Sequence, residues 1–477
     1  MTVTIDSNLK NNSSDVLIIG AGAAGLAAAR DLSVAGRKVI VLEVRDRSGG
    51  RIFTYKDPSS PVPIELGAEF VHGKSPELFQ IAKNAHLQLI EVGERHWYLE
   101  DGKLIKSGDF WSKIENLFEK MKSVDADQSF KDFLSSLPDD EESRRVKAMA
   151  IQYVEGFNAA SMERISVKGL TEESEAAESI EGDKSFRFLD GYESLVQALQ
   201  AEAEGAGASI HLNTTVKEIH WRGDDVEAVC ECEKGPTSFT ASRMIITLPL
   251  GVLQTNPDQD GAVQFIPELP QDKRDAINNL IMGNVVRLVL RFRERFWERL
   301  TLSDEDKNPV SLADAAFIHH PDAPLPTWWT QLPVRAPILV GWAGGPKADW
   351  LIRGAGPMAG EGDWYTMGEN NRQPQAIDSF ILDQAINSLS SILNVRVEYA
   401  RHQLEASYSH HWHSDPFSRG AYSYVPVGGL DAQKILCQPI ANKLFFAGEA
   451  TSVGHFGTVH GAIQSGQRAA KQIIEKL

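Results

Sequence analysis

A chain of 477 residues with 42% hydrophobic and 24% charged residues has the composition of a folded globular protein and is too long for one hydrophobic core, so two domains are expected. Its formal net charge of −17 argues against nucleic acid or an anionic membrane surface as partner and favours cationic ligands. The three cysteines, Cys230, Cys232 and Cys437, fall in no zinc or redox spacing, so neither a disulfide framework nor a metal site is expected.

The opening MTVTIDSNLKNNSSD is polar, without the apolar segment of a secretory signal, and no run approaches the roughly 20 apolar residues of a membrane helix. A cytoplasmic protein with no membrane anchor is the expectation. Asp15 to Arg51 then encodes a dinucleotide-binding unit. Val16 to Ile19 is an apolar run that breaks at Gly20-Ala21-Gly22-Ala23-Ala24-Gly25, a strand ending in a G-x-G-x-x-G turn. Ala23 to Ala35 predicts a helix stopped by Gly36, and Lys38 to Leu42 a second parallel strand that ends at Glu43-Val44. In such a unit Gly20 permits the turn, Gly22 lets backbone approach a pyrophosphate, and Gly25 lets the helix pack close to the strand; Ala24 lies in the same opening turn. The helix N-terminus offsets phosphate charge, and Glu43 stands where a carboxylate bonds ribose hydroxyls. Arg45, Gly50 and Arg51, within RDRSGGR, would follow the cofactor away from its adenine half. This unit does not separate FAD from NAD.

Pro58 to Pro63 is a turn, after which Gly67-Ala68-Glu69-Phe70-Val71-His72-Gly73 brings the chain back toward the cofactor, with His72 either a structural hydrogen-bonder or a site residue. Ser75 to about Arg187 reads as helical and irregular, with helices over Trp111 to Met121 and Glu141 to Phe157. The acidic run from Glu172 to Glu181 reads most simply as a solvated loop, with a cation-attracting rim as the lesser alternative. A helix is predicted over Glu193 to Gly205, then strands over Ile210 to Trp221, Ala228 to Glu233 and Thr237 to Leu248, a helix over Lys273 to Leu280 and a strand over Val285 to Phe292 that contains Arg287. Strand-like pieces at Thr327 to Leu332 and Ile338 to Trp342, an excursion from Gly354 to Pro374 and a helix over Ala376 to Leu393 follow.

Near the C-terminus, Trp412 to Tyr424 concentrates aromatics in a loop. Leu444 to Thr451 then gives a strand, Gly448 and Glu449, and Gly457-Thr458-Val459-His460-Gly461 opens a last helix. This is a second helix N-terminus aimed at the cofactor, where Glu449 could bond ribityl hydroxyls and the Thr458 to Gly461 backbone could face a flavin ring.

GAGAAGLAAAR with LEVRDRSGGR, LGAEFVHG, TLPLGVL, the segment from Phe265 through Phe296-Trp297, DPFSRGAYSY, and FAGEATS with GTVHGAIQSG occur in one order along nearly the whole chain. Together they resemble the flavin-containing amine oxidase family, and its polyamine oxidase and lysine-specific histone demethylase branch more than its monoamine oxidase branch. The resemblance implies an α/β fold: a Rossmann-like, glutathione-reductase-type FAD-binding domain built from separated segments (13–75, 186–255 and 413–477) plus a mixed α+β substrate domain (76–185 and 256–412). It implies that Glu43 binds the adenosine ribose, Arg45 and Arg51 the pyrophosphate region, Val216 the adenine through its backbone, and Glu449 the ribityl chain. Val459 would approach the flavin pyrimidine, and Tyr422 and Trp412 would hold the amine beside the flavin. No inserted helical tower is present, which speaks against a demethylase.

The implied chemistry is hydride transfer from the carbon next to an amine nitrogen to flavin N5, giving an imine that is hydrolysed to a carbonyl compound, with O2 reduced to hydrogen peroxide. Two residues depart from the family pattern. Arg287 stands where the family usually has a lysine, and Thr458 where monoamine oxidases have a cage tyrosine. Arginine does not lose its proton, so the lysine's role does not transfer automatically. With His72 at the polyamine-type position, a polyamine or related amine is the expected substrate. An L-amino acid oxidase for a basic amino acid, with Arg287 as carboxylate clamp, an amine dehydrogenase with another electron acceptor, and a flavin-binding scaffold remain as alternatives. No cysteine lies near Gly420-Ala421-Tyr422, so non-covalent FAD is expected, and the oligomeric state is left open.

Overall fold

The computed structural model describes residues 12–93, 95–100, 102–106, 110–300, 302–304, 308–355 and 378–476. Its first large sheet grows from the strand Ser13–Ile19, whose apolar residues Val16 to Ile19 are fully buried because helices and loops cover both faces. That strand pairs in parallel with Val39–Leu42 on one side and with Gly235–Ile246 on the other. The full order is Ser209–His211, Val39–Leu42, Ser13–Ile19, Gly235–Ile246, Val226–Cys232, Thr214–His220 and Gln264–Ile266. Gly235–Ile246 serves two partners on one edge. Its first half forms an antiparallel hairpin with Val226–Cys232, while Met244 to Ile246 pair in parallel with Leu444–Phe446. The sheet is therefore parallel where the glycine turn sits and an antiparallel meander beyond it.

Three helices, Ala23–Val34, Glu193–Gly205 and Val459–Ile474, cover one face through Leu26, Leu32, Leu195, Leu199, Ile463 and Ile473, all buried. Each such side chain contributes about 1.5–3 kcal/mol of burial. The approach is close enough to demand small residues. A Cβ on Gly25 would stand 1.9 Å from the Gly20 carbonyl oxygen, and one on Gly466 would stand 2.1 Å from that of Ala24. Gly20 itself has φ of +103°, which a side chain would strain.

The second sheet has seven strands in the order Leu404–Tyr408, Val285–Phe292, Ile338–Gly344, Thr327–Thr330, Phe317–His319, His96–Glu100 and Lys103–Lys106. Strand alternation sorts its side chains. Val286, Leu288, Leu290 and Trp328 face a core shared with the helices Gly345–Gly354 and Ser379–Leu393, while Val289 and Trp329 belong to the opposite face. Arg287 lies between Val286 and Leu288, so the same alternation turns it away from that core. The fold is α/β, a parallel Rossmann-like sheet with a mixed sheet-and-helix partner.

The helices Glu141–Phe157 and Glu193–Gly205 and the strand Val285–Phe292 run as predicted, and most other elements agree within a few residues at their ends. Two expectations are corrected. The segment expected to be helical after Ser75 also contains the strands Leu89–Val92, His96–Glu100 and Lys103–Lys106, the last two closing a hairpin at the edge of the second sheet. The acidic run is mostly helix, Val167–Glu178, because the Ser166 hydroxyl caps its first turn by accepting from the Gly169 amide at 2.9 Å, and Glu and Ala favour helix. Beyond Ala355, the expected excursion to Pro374 lies outside the described residues.

Candidate active site

A cavity of about 440 Å³ runs from the glycine turn across to the second sheet. Gly20, Gly22, Ala24, Glu43, Val44, Arg45, Gly50, Arg51, Gly67, Ala68, Glu69, Val216, Trp412, Gly448, Glu449, Thr458 and Val459 all line it, as do His72, Arg287 and Tyr422. Gly25 does not; it serves the helix–strand packing.

At the glycine end, the N-cap Gly22 supplies no side-chain bond to the helix it precedes, and a Cβ built on it would meet nothing within 4 Å. Free amides at the positive end of a helix thus face open space, as a pyrophosphate requires. Glu43 ends the second strand and accepts from the amides of Ala21 at 2.8 Å and Arg45 at 3.0 Å, which fixes its carboxylate at the rim of the turn. Arg47 holds the Gly-Gly turn by donating to the carbonyls of Gly50 and Ile52, both at 3.0 Å, with its guanidinium over the Phe53 ring. These features suit a dinucleotide.

Distant segments close the groove. Arg45 donates to Asp415 at 2.7 Å, and Arg51 donates through Nη1 to Glu449 at 2.8 Å and to the Ala421 carbonyl at 2.9 Å. The other oxygen of Glu449 accepts from the Ser423 hydroxyl at 2.6 Å and the Gly457 amide at 3.0 Å. Thr458 caps the last helix through the Gly461 amide at 3.0 Å, leaving Val459 as its first residue.

Glu69, expected beside the cofactor, is a buried carboxylate held by the protein. Arg287 donates to its Oε2 at 2.5 Å, Trp329 donates to the same oxygen at 3.0 Å, and the Nε of Arg187 lies 2.8 Å from Oε1. Burial alone would raise its pKa, but Arg187 and then Arg287 outweigh that and hold it below the usual carboxylate range. Arg287 also donates through Nε to the Glu65 carbonyl at 2.8 Å. The Glu65 carboxyl, pushed up to about 8 by burial, accepts from the Tyr192 amide and the Thr54 hydroxyl, both at 2.7 Å.

Beyond this cluster the cavity is a chamber of rings. Trp412 is anchored by its Nε1 on the Leu66 carbonyl at 2.9 Å, and Tyr422 by its hydroxyl on the Phe157 carbonyl at 2.6 Å. Phe70 lies 5.5 Å from Trp329, which lies 5.8 Å from Trp342, and His72 meets Phe157 edge-on at 5.1 Å. Burial lowers His72 to about 4, so its imidazole is neutral. At the far wall His96 and His319 stack, with Nδ1 and Nε2 2.9 Å apart. Burial lowers both, so the pair is neutral as well. Sequence reasoning did not mark these histidines or Arg187, and it took Glu173, which also lines the cavity, only as part of the acidic run. Only the hairpin turn after Leu99 and the i, i+3, i+7 spacing of Leu170, Glu173 and Ala177 could have pointed to them.

The sequence matches the model of the flavin-containing amine oxidoreductases over residues 23–355 and 364–474. The chain belongs to this family. It is an oxidoreductase, and its cofactor is FAD. It is 29% identical to a probable polyamine oxidase 4 of Arabidopsis thaliana, covering 98% of this chain and 89% of that one. It is 28% identical to lysine-specific histone demethylase 2 of Homo sapiens, covering 97% of this chain and 53% of the relative. A putrescine oxidase solved with putrescine bound superposes with a TM-score of 0.75 at 20% identity, over 97% of this chain and 99% of the other. No helix among the described residues is long and apolar enough to cross a membrane, and no group of three or more potential ligands among them could hold a metal ion.

Proposed function

We propose that this flavoenzyme oxidises a polyamine or a related amine and passes the electrons to O2. The observation that carries the reading is the pairing of Arg287 with Glu69. An amino acid oxidase needs a cation free to take the substrate carboxylate, and here the arginine nominated for that role is already satisfied by a buried carboxylate 2.5 Å away. What faces the groove instead is a chamber of aromatic faces that hold alkyl chains and cations.

When bound, the flavin supplies the electron sink, taking a hydride from the carbon next to the amine nitrogen and returning two electrons to O2 as hydrogen peroxide. The remaining work belongs to the protein. Trp412 and Tyr422, each tied to a backbone carbonyl, set the walls between which the reacting carbon is oriented. The amine must be neutral to release hydride, and the neutral, half-buried His72 can accept a hydrogen bond from its N–H. Arg287 keeps its proton and so takes none from the substrate. Water then adds to the oxidised C=N bond and releases a carbonyl compound and an amine. No cysteine is among the residues lining the cavity, in keeping with FAD held without a covalent bond.

The test is anaerobic mixing of the holoenzyme with polyamines, monoamines and L-amino acids, followed by air. Loss of flavin absorbance with spermidine or spermine and prompt return in air is expected. Reduction by amino acids alone would overturn the substrate class, and slow return in air would point to another electron acceptor.

A further inference from the structure

An alkylamine reaches a protein near neutral pH as an ammonium ion, and one N–H proton must leave before hydride can. Arg287 cannot take it. A row of imidazoles leads outward from the chamber. His72 and His460 both line the cavity, and a charge on His72 acts on His460. His460, buried in the first turn of the helix Val459–Ile474, shares a hydrogen bond with His455, Nε2 to Nδ1 at 3.2 Å, with the ring centroids 4.8 Å apart. His455 is half-buried and is not among the residues lining the cavity, and the charge of Glu77 acts on it. Glu77, also off the cavity wall, accepts from the Ser75 hydroxyl at 2.9 Å and from the side-chain amide of Gln464 at 3.1 Å, one turn beyond His460 on the same helix. The His460–His455 pair thus spans from the chamber wall to a half-exposed ring with a carboxylate near it.

Resting on the amine-oxidase reading above, we propose that His460 and His455 carry the substrate's proton out of the chamber, from His72 to solvent beside Glu77. The ammonium N–H bond breaks, its proton joins a ring nitrogen of His72, and a proton passes in turn to His460, across the 3.2 Å bond to His455, and then to water. Each imidazole takes a proton on one nitrogen and releases one from the other, so every ring ends neutral. No electrons move, and the amine keeps the lone pair that drives hydride loss. The charges around the pair favour the outward direction. Burial first, then the His455 and His72 rings, lowers His460 to about 3, so a proton does not rest there. At His455, burial lowers the pKa and the Glu77 carboxylate raises it, which draws the proton outward.

His455→Ala removes the outer ring and leaves every residue of the cavity wall in place. When the holoenzyme is mixed anaerobically with saturating spermidine in weak buffer near neutral pH, the variant should reduce its flavin about tenfold or more slowly than the wild type. Added imidazole should restore the variant and leave the wild type unchanged, and the loss should shrink toward about pH 10, where much of the amine enters already neutral. His455→Gln, which can hydrogen-bond His460 but cannot pass a proton, should be as slow as the alanine variant. A second readout needs no turnover. tert-Butylamine has no hydrogen on the carbon next to nitrogen, so its binding should release a proton to a pH-indicator dye without flavin reduction, promptly in the wild type and about tenfold or more slowly in the variant. Unchanged rates in weak buffer, a glutamine variant as fast as the wild type, or a loss that neither imidazole nor high pH relieves would overturn the proposal. Dye-recorded proton release that needs His455, in a protein whose flavin no amine reduces, would instead overturn the amine-oxidase reading and leave the proton path standing.

Discussion

Glu69 sits nearly buried between two arginines, and its value lies in what it neutralises. Replacing it by glutamine leaves Arg187 and Arg287 buried with one neutral acceptor, which should cost about 3–5 kcal/mol of stability. Denaturant titration of the Glu69→Gln holoenzyme would measure the loss. Because the folded carboxyl is held below its ordinary pKa, its contribution is fully present above about pH 4.3 and disappears as the pH falls through the folded value. The acid limb of wild-type stability should therefore be steeper than that of the variant, as thermal melts across the acid range would show. His72 behaves differently. Lowered to about 4 by burial, it stays neutral through the working range, so an ionisation seen near pH 6–7 in kcat/KM should survive His72→Gln.

The helix that opens at Ala23 is held to its strand and to the last helix by contacts that admit no side chain. Gly25→Ala would drive a methyl into the Gly20 carbonyl and move the helix N-terminus out of line with the phosphates. A loss of about 1–3 kcal/mol is expected, together with weaker FAD retention, read as a lower ratio of flavin to protein absorbance after dilution. These are the elements that were legible in the sequence, because apolar periodicity and glycine spacing report local structure directly. Glu193–Gly205 and Val285–Phe292 were legible for the same reason. The His96–Glu100 and Lys103–Lys106 hairpin was not, since both strands are short and carry no clean apolar–polar alternation in the sequence. The Val167–Glu178 helix was hidden by its own charge, which resembles a solvated loop until the Ser166 cap is noticed. The site divides along the same line. Glu43, Arg51 and Glu449 stand in local motifs, whereas the partners of Glu69 come from Arg187, Arg287 and Trp329, strands joined only in three dimensions.

Over the whole molecule, a net charge of −17 surrounds a chamber proposed to admit cations. Such a field speeds encounter with a polyamine and is screened by salt. Raising ionic strength from about 0.01 M to about 0.15 M, which shortens the Debye length from about 30 Å to about 8 Å, should lower kcat/KM for spermidine about threefold or more. The rate of anaerobic flavin reduction at low substrate would show the fall, and the rate at saturation should hold steady.

Arg51 and Glu449 are separated by 398 residues, and their contact joins the first glycine-rich unit to the start of the last helix. During synthesis the first strand, helix and turn leave the ribosome long before the segment that closes the groove over them. A nascent chain from which Glu449 and Val459 have yet to emerge lacks part of the cavity's lining and is expected to hold FAD less well. Ligand binding stabilises only the form that binds, so FAD would favour finished chains over arrested or clipped ones. The supply of the cofactor would then set how many completed molecules escape degradation.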